Sequence, residues 1–145
     1  MSNTPGHWAT CYIGKPWLAD ADGPHAYDCR GLVGAVQREH FGRSVPPLTR
    51  ADRSTPEGRA AFMDAVRRGG WVRTADAPRE GDILVVQGAS GAHVGVFITV
   101  GRRLEVLHAP GLRDEQGRPQ GRVVSQCLRD LLASGYSRPE VWRCS

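Results

Sequence analysis

The chain of 145 residues has 40% hydrophobic residues, 23% charged residues and a formal net charge of +4, which is typical of one globular domain. No apolar run approaches the ~18 residues of a membrane span, and no basic segment followed by an apolar core marks a secretory signal. The cationic residues are scattered, whereas nucleic-acid binders concentrate them in a stripe. We therefore expect a single domain over residues 1–145, cytoplasmic at synthesis, that binds neither nucleic acid nor a membrane.

The first half of the chain is predicted to be loop followed by helices. Gly, Pro, Asp and Ala dominate residues 1–27, which predicts mostly loop with one short helical turn. Apolar residues recur three and four apart over residues 28–41 and predict the first long helix, which two consecutive prolines cannot continue. A second helix is predicted over residues 54–70, with Ser54 or Thr55 as its cap and two glycines at its end.

Apolar and β-branched runs follow in the second half of the chain. Gly101 and Arg102 separate two of these runs, which predicts a tight hairpin. Because helices come first and neighbouring strands follow, the order predicts an α+β fold with an antiparallel sheet, not a doubly wound parallel one. The predicted strands cover residues 82–88, 92–100, 103–109, 122–126 and 140–144, and a short helix is predicted over residues 128–134.

Cys29 is predicted to start the first long helix, directly after Asp28 as its cap. The first turn of a helix leaves backbone N–H groups unpaired and carries a partial positive charge, which stabilises a thiolate. The same N–H groups can hold the oxyanion of a tetrahedral intermediate. Position alone equally fits a small, partly buried side chain, as expected for Cys11, Cys127 and Cys144. A reactive Cys29 therefore needs a partner.

Two of the five histidines are candidates for that partner. His93 opens one predicted strand and His108 ends the next, so a hairpin would bring both imidazoles to one end of the sheet. A histidine there with a polar neighbour is placed like a general base with an orienting partner. Either one alone fits an ordinary polar residue, but the two together with Cys29 favour a Cys–His–His site. The other histidines lie in loops or near a helix end: His7, His25 and His40.

Other chemistries fit the sequence less well. The segment GASGA is not a GxSxG serine elbow, and neither a Walker A loop nor GxGxxG occurs. Cys29, His93 and His108 could hold zinc, but the usual close ligand pair is missing, so we expect no metal and no cofactor. No pair of carboxylates stands out for a glycosidase. Without a CxxC the cysteines make no disulfide scaffold, and a Cys127–Cys144 bridge has no support from the sequence.

Four segments, in this order, resemble the NlpC family of cell-wall cysteine peptidases. The family pattern has Asp-Cys on a helix, a Gly-Asp strand, a His-Val-Gly strand, and a later His or other polar residue. The upstream YIGKPW and the AVQREHFG after the cysteine are similar to the phage tail and gene-transfer-agent branch. Arg30 stands where the family most often has a serine. The matching segments are YDCRGLV at 27–33, GDILVVQ at 81–87, HVGVFI at 93–98 and LHAPG at 107–111.

The resemblance implies a papain-like α+β core with helices packed on a central antiparallel sheet. It also implies hydrolysis of amide bonds in peptidoglycan stem peptides, typically next to D-glutamate and a diamino acid. Carried over to this chain, Cys29 is the nucleophile, His93 the general base and His108 the residue that orients it. Tyr12 falls where the family often has a tyrosine near the oxyanion or substrate, and Asp82 carries over as a structural position.

Three functional interpretations stay open at this point. The first is a peptidoglycan hydrolase, carried to the wall with a phage or prophage tail, or injected as a type VI effector that has an immunity protein as partner. The second is a tail assembly module with the peptidase fold and little turnover. The third is an acyltransferase or amidase on another substrate, because a Cys–His–His site serves several acyl transfers.

Overall fold

The structure is a computed structural model that describes residues 7–45, 55–89 and 91–144. Its strands are β1 (Trp71–Thr74), β2 (Ile83–Gly88), β3 (Gly91–Val100), β4 (Arg103–His108), β5 (Val124–Gln126) and β6 (Ser137–Cys144). Its helices are α1 (Cys29–Glu39), α2 (Pro56–Arg68) and α3 (Leu128–Ala133), with a 3₁₀ turn at Trp8–Cys11. The strands form one antiparallel sheet in the order β1-β6-β2-β3-β4-β5. This arrangement confirms the α+β fold with helices packed on an antiparallel sheet.

Helix α1 begins where its sequence predicts, because a carboxylate caps its first turn. The Asp28 Oδ1 atom accepts a hydrogen bond from the Gly31 N–H at 2.7 Å, as expected of an N-cap residue. Farther along, the buried Gln37 donates from Nε2 to the Gly81 carbonyl at 2.9 Å. This bond ties α1 to the turn that precedes β2. The apolar face of the helix is fully buried through Leu32, Val33, Ala35 and Val36.

Apolar cores lie on both faces of the sheet. Successive residues of β2 point to opposite faces of the sheet. Ile83 packs into the core that contains α1, and Leu84 packs into a second core with Leu131 of α3. The first core also takes Val66 from α2. Helices α1 and α2 therefore cover one face and α3 covers the other. Since both faces carry an apolar core, the ends of the strands are where polar side chains can meet.

Asp82, which directly precedes β2, anchors the start of that strand. Its carboxylate is 2% exposed and accepts from Arg143 Nη2 at 2.7 Å and Nε at 3.0 Å. The Arg79 N–H also donates to it at 3.0 Å. Because Arg143 belongs to β6, this pair joins β2 to its neighbour in the sheet. We call it the Asp82–Arg143 clamp, and it fits the structural role expected for Asp82.

The sheet is larger than the sequence predicts, because strand β1 was not predicted. Within this short strand only Trp71 is buried, so no apolar alternation marks it. Strand β6 starts at Ser137 instead of residue 140, since Arg138 at φ 54° and the following Pro139 hide its beginning. Strand β5 starts at Val124 instead of residue 122. The hairpin at Gly101 and Arg102 is confirmed by the β3–β4 register.

The remaining sequence predictions for helices are mostly confirmed. Thr55 caps α2, because its Oγ1 accepts from the Gly58 N–H at 3.0 Å. The alternative cap Ser54 and the two prolines after α1 lie outside the described residues. In the part of the chain that the structure describes, no helix has the length and apolarity needed to cross a bilayer.

Candidate active site

Two histidines meet at one end of the sheet. His93 lies near the start of β3 and His108 is the last residue of β4, which pairs with β3. A hydrogen bond of 2.8 Å joins His93 Nε2 to His108 Nδ1. His93 is 7% exposed and His108 is 1% exposed. Gly95 allows this approach, since a Cβ there would lie 3.2 Å from His108 Cβ and 2.6 Å from Val106 Cγ1. The hairpin predicted from the sequence therefore does bring the two imidazoles together.

Gln126 extends this pair into a chain of three side chains. Its Oε1 lies 2.6 Å from His108 Nε2, and an amide oxygen can only accept, so His108 Nε2 carries the proton. In neutral His108 the Nδ1 atom must then accept from His93 Nε2–H. This order leaves Nδ1 of His93 without a proton and ready to take one. We call these three residues the histidine relay.

Burial sets the charge state of the relay. Burial first, and charge repulsion from the neighbouring His108 second, together lower the pKa of His93 to about 3. Burial also lowers the pKa of His108, while its hydrogen bond to Gln126 acts in the opposite direction. Both imidazoles are therefore neutral near pH 7, which is the state in which His93 can accept a proton.

Cys29, the first residue of α1, shares this part of the molecule with the relay. The thiol is half-buried, and α1 packs directly on β3. The Tyr136 ring stacks on His93, with centroids 4.7 Å apart and planes 16° from parallel. The pKa of Tyr136 is raised first by burial and then by the charge that Cys29 carries when its thiol is ionised. Tyr136 therefore stacks on His93 and also responds electrostatically to Cys29.

Asp28 and Arg30, on either side of Cys29, hold the loop before α1. Besides capping the helix, Asp28 accepts through Oδ2 from the Asp20 N–H at 2.9 Å. The Arg30 guanidinium folds back onto the same oxygen at 3.4 Å and its side chain is 17% exposed. Arg30 therefore supports the position of the Asp28 cap rather than extending into solvent.

Tyr12 lies apart from the histidine relay. Its ring is 3% exposed and packs edge-on against Tyr27 at 5.8 Å. Its hydroxyl donates to Glu39 Oε1 at 2.7 Å, at the opposite end of α1 from Cys29. Burial, with help from that bond, raises the pKa of Tyr12. The geometry thus indicates a core role, and the substrate contact stays a prediction.

Gln126 and Tyr136 are site residues that the sequence analysis missed. Gln126 ends a predicted strand, and pairing that strand with the one ending in His108 would have placed it beside the imidazole. Tyr136 follows α3 outside every predicted element, so no sequence signal marks it. Cys127, at the start of α3, is a free thiol, and the structure thus has no Cys127–Cys144 disulfide. Among the described residues no group of three or more His, Cys, Asp or Glu is arranged to hold a metal.

A solved structure shares this architecture. The NlpC/p60 domain of the peptidoglycan hydrolase SagA aligns with a TM-score of 0.56 and 22% sequence identity, over 94% of this chain and 92% of that one. The chain has the NlpC/p60 fold. No protein-family model matches the sequence, and no curated protein matches it either. Within the NlpC/p60 fold of this chain, Cys29 starts a helix that packs on β3, the strand of His93.

Proposed function

We propose that this protein is a cysteine endopeptidase that hydrolyses amide bonds in the stem peptides of peptidoglycan. The observation that carries the proposal is the histidine relay, placed where the helix that starts with Cys29 packs on the sheet. A buried, neutral imidazole with an oriented partner is the arrangement that activates a thiol for acyl transfer. The fold shared with a domain of a peptidoglycan hydrolase supports the choice of substrate.

The first half of the proposed reaction acylates Cys29. The sulfur attacks the carbonyl carbon of the scissile amide while Nδ1 of His93 accepts the thiol proton. The resulting oxyanion is stabilised by the backbone N–H of Cys29 and a second donor, because the start of α1 carries a partial positive charge. His93 then gives its proton to the leaving amine nitrogen as the C–N bond breaks, which leaves a thioester.

The second half of the reaction releases the acyl group. A water molecule gives a proton to His93 as its oxygen attacks the thioester carbonyl, and the C–S bond breaks in the collapse of the second tetrahedral intermediate. His93 returns the proton to the sulfur, so the enzyme ends in its starting state. Through both halves the protons on His108 Nε2 and His93 Nε2 stay in place, and His93 Nδ1 is the atom that exchanges protons.

The proposal extends to a delivery route, for which the sequence offers two candidates. One is transport with a phage or prophage tail, which the resemblance of residues 12–42 to the tail and gene-transfer-agent branch supports. The other is injection by a secretion system, with an immunity protein in the producing cell. Tail genes on both sides of the coding sequence would select the first, and a neighbouring gene whose product binds this protein tightly would select the second.

The test is mass spectrometry of defined muropeptides after incubation with the wild type, Cys29→Ala and Cys11→Ala. Cys11 is exposed and lies in the 3₁₀ turn, so its variant is a matched control. We expect fragments separated at a stem-peptide amide in the wild type and the control. The Cys29→Ala variant should lose at least about 1,000-fold in rate, because removing a nucleophile leaves only the residual effect of binding and the oxyanion site.

Three results would contradict the proposal. Cleavage by Cys29→Ala at the wild-type rate would show that Cys29 is not the nucleophile. No cleavage by the wild type, together with a Cys29 that iodoacetamide does not alkylate at neutral pH, would favour an assembly module with little turnover. Turnover of another amide or ester without wall cleavage would select the acyl-transfer alternative.

A further inference from the structure

Tyr136 contacts the relay without belonging to it. It lies between α3 and β6, and its ring covers one face of His93, with centroids 4.7 Å apart and an interplanar angle of 16°. The same ring meets His108 edge-on, with centroids 6.5 Å apart and planes at 89°. The two imidazoles are themselves nearly perpendicular, at 81°. Tyr136 therefore touches both rings of the relay in the orientations that aromatic pairs prefer.

The space for this ring depends on a glycine in a different strand. Gly88 ends β2, and a Cβ built there would lie 2.9 Å from Tyr136 Cε1 and 3.1 Å from Cδ1. A Cβ carbon does not tolerate a contact that close, so any other residue at position 88 would displace the Tyr136 ring from its present position. The backbone conformation of Gly88 does not require glycine, because its φ angle is not in the positive range. The close approach of Tyr136 is therefore the reason for glycine here.

The stacked Tyr136 ring restrains a tilt of the His93 ring that the hydrogen bond to His108 leaves open. The bond from Nε2 to His108 fixes one atom of the His93 ring, but the ring can still tilt about the line of that bond. A parallel aromatic face against it removes this tilt and also keeps water from that face. The Nδ1 atom is then held in one direction, which is the condition for repeated proton transfer with a thiol.

We propose that Tyr136 is a positioning residue, whose ring holds the plane of His93 so that Nδ1 stays aimed at the Cys29 sulfur. The assignment rests on the proposed function for its catalytic meaning, but activation of the Cys29 thiol by His93 can be measured without any substrate. The ring carries the effect, and the hydroxyl is not required for it. Gly88 acts through Tyr136 by leaving room for the ring.

The first experiment measures alkylation of Cys29 by iodoacetamide, followed by peptide mass spectrometry so that the other cysteines do not interfere. The readout is the His93 effect, defined as the ratio of the Cys29 alkylation rates of wild type and His93→Gln. We expect Tyr136→Leu to bring this ratio to within about 2-fold of one, and Tyr136→Phe to keep it. Because no substrate is used, this result stands or falls separately from the wall-hydrolase proposal.

The second experiment measures kcat and KM on the muropeptide. Tyr136→Leu should lower kcat about 10-fold with KM changed less than about 2-fold, since the loss of one aromatic pair affects proton transfer and not binding. Tyr136→Phe should stay within about 3-fold of wild type. Gly88→Ala should resemble Tyr136→Leu although it removes no side chain. Gly34→Ala, where an added Cβ meets nothing within 4 Å, is the matched control and should be unchanged.

A double-mutant cycle decides whether Gly88 acts through the ring. In a Tyr136→Leu background, Gly88→Ala should cost no further activity, because the displaced group is already absent. Additive losses would overturn that link, and a Tyr136→Phe variant as damaged as Tyr136→Leu would overturn the role of the ring. A His93 effect that survives Tyr136→Leu would overturn the proposal as a whole. If Tyr136→Leu fails to fold, Gly88→Ala alone still gives the decisive ratio.

Discussion

The two ends of strand β2 hold buried polar clusters that treat charge in opposite ways. Where β2 begins, the Asp82–Arg143 clamp keeps two full charges in contact at 2.7 Å. Near its other end, His93 and His108 are buried just as deeply, yet burial lowers both pKa values and keeps the rings neutral. The clamp joins two strands, whereas the relay keeps a proton acceptor ready. Equal burial therefore leads to different charge states: the Asp82 carboxylate has a guanidinium as counter-charge, whereas the two imidazoles, bonded to each other and to the Gln126 amide, stay neutral.

The largest effect is expected from breaking the Asp82–Arg143 clamp. Asp82→Asn leaves the Arg143 guanidinium without its counter-charge, so the free energy of unfolding should fall more than in the exposed-pair control given below. Urea denaturation followed by fluorescence measures this loss. Activity per folded molecule should stay within about 3-fold of wild type. Asp76→Asn is the matched control, because Asp76 pairs with the same arginine at a longer distance of 3.5 Å and is 79% exposed. Its loss should lower the free energy of unfolding by less than about 1 kcal/mol.

A drop in kcat for Asp82→Asn at unchanged KM, measured where the protein is fully folded, would contradict a purely structural role of the clamp. It would mean that the clamp also positions the relay through β2, so that the two ends of the strand act together. A stability loss equal to that of the Asp76→Asn control would show instead that the pair contributes no more than an exposed one.

The next effect is the pH dependence of stability that the relay should produce. The unfolded chain protonates its histidines near pH 6.5, whereas burial holds the pKa of His93 at about 3. The unfolded state therefore binds more protons below pH 6.5, and stability falls from there toward pH 3. Between pH 7.5 and pH 5 the loss is about 2 kcal/mol for each imidazole that stays neutral in the fold.

Urea midpoints across that pH range test this directly. The His93→Gln variant should show a shallower dependence, since one of the proton-excluding groups is gone. His25→Gln should keep the wild-type dependence, because His25 is an exposed loop residue. Equal slopes for wild type and His93→Gln would mean that folding leaves the pKa of His93 unchanged, which would contradict the lowering of that pKa by burial.

A smaller effect, on rate alone, is expected from Gln126. Gln126→Leu removes the acceptor for His108 Nε2–H and lets the wrong tautomer form, so kcat should fall about 10- to 100-fold. Gln126→Glu keeps an acceptor at the same place and should recover most of this loss. Its negative charge should also raise the imidazole pKa values, so the acid limb of the pH–rate profile should move to higher pH. A Gln126→Glu variant as slow as Gln126→Leu would contradict the tautomer role.

The smallest effect is expected from Tyr12→Phe. It removes one hydrogen bond to Glu39, whose side chain is 51% exposed, so the unfolding free energy should fall by about 1 kcal/mol or less. The KM for muropeptides should not change if the tyrosine is a core residue. An increase in KM without loss of stability would instead support the substrate contact predicted from the sequence.

Much of this site could be predicted from the sequence, and the part that could not has a physical reason. Local rules are enough to predict Cys29 after a capping aspartate and two histidines at the open end of a hairpin. Gln126 and Tyr136 reach the same place through long-range pairing, with Tyr136 fitting against Gly88 of a distant strand. Strand β1 was missed for a related reason, since its strand pairing is with β6 at the far end of the chain and Trp71 is its one buried residue.

The order of the sheet has a consequence for how the protein is made. Strand β6 is the last of the six in the chain, but it is inserted between β1 and β2. While a ribosome is still synthesising β6, the first strand has no neighbour to join and Tyr136 has only just been added. We therefore expect the nascent chain to remain without a finished sheet, and without an organised base, until translation has passed residue 144. Such late closure delays the appearance of the complete fold in the cell that produces it.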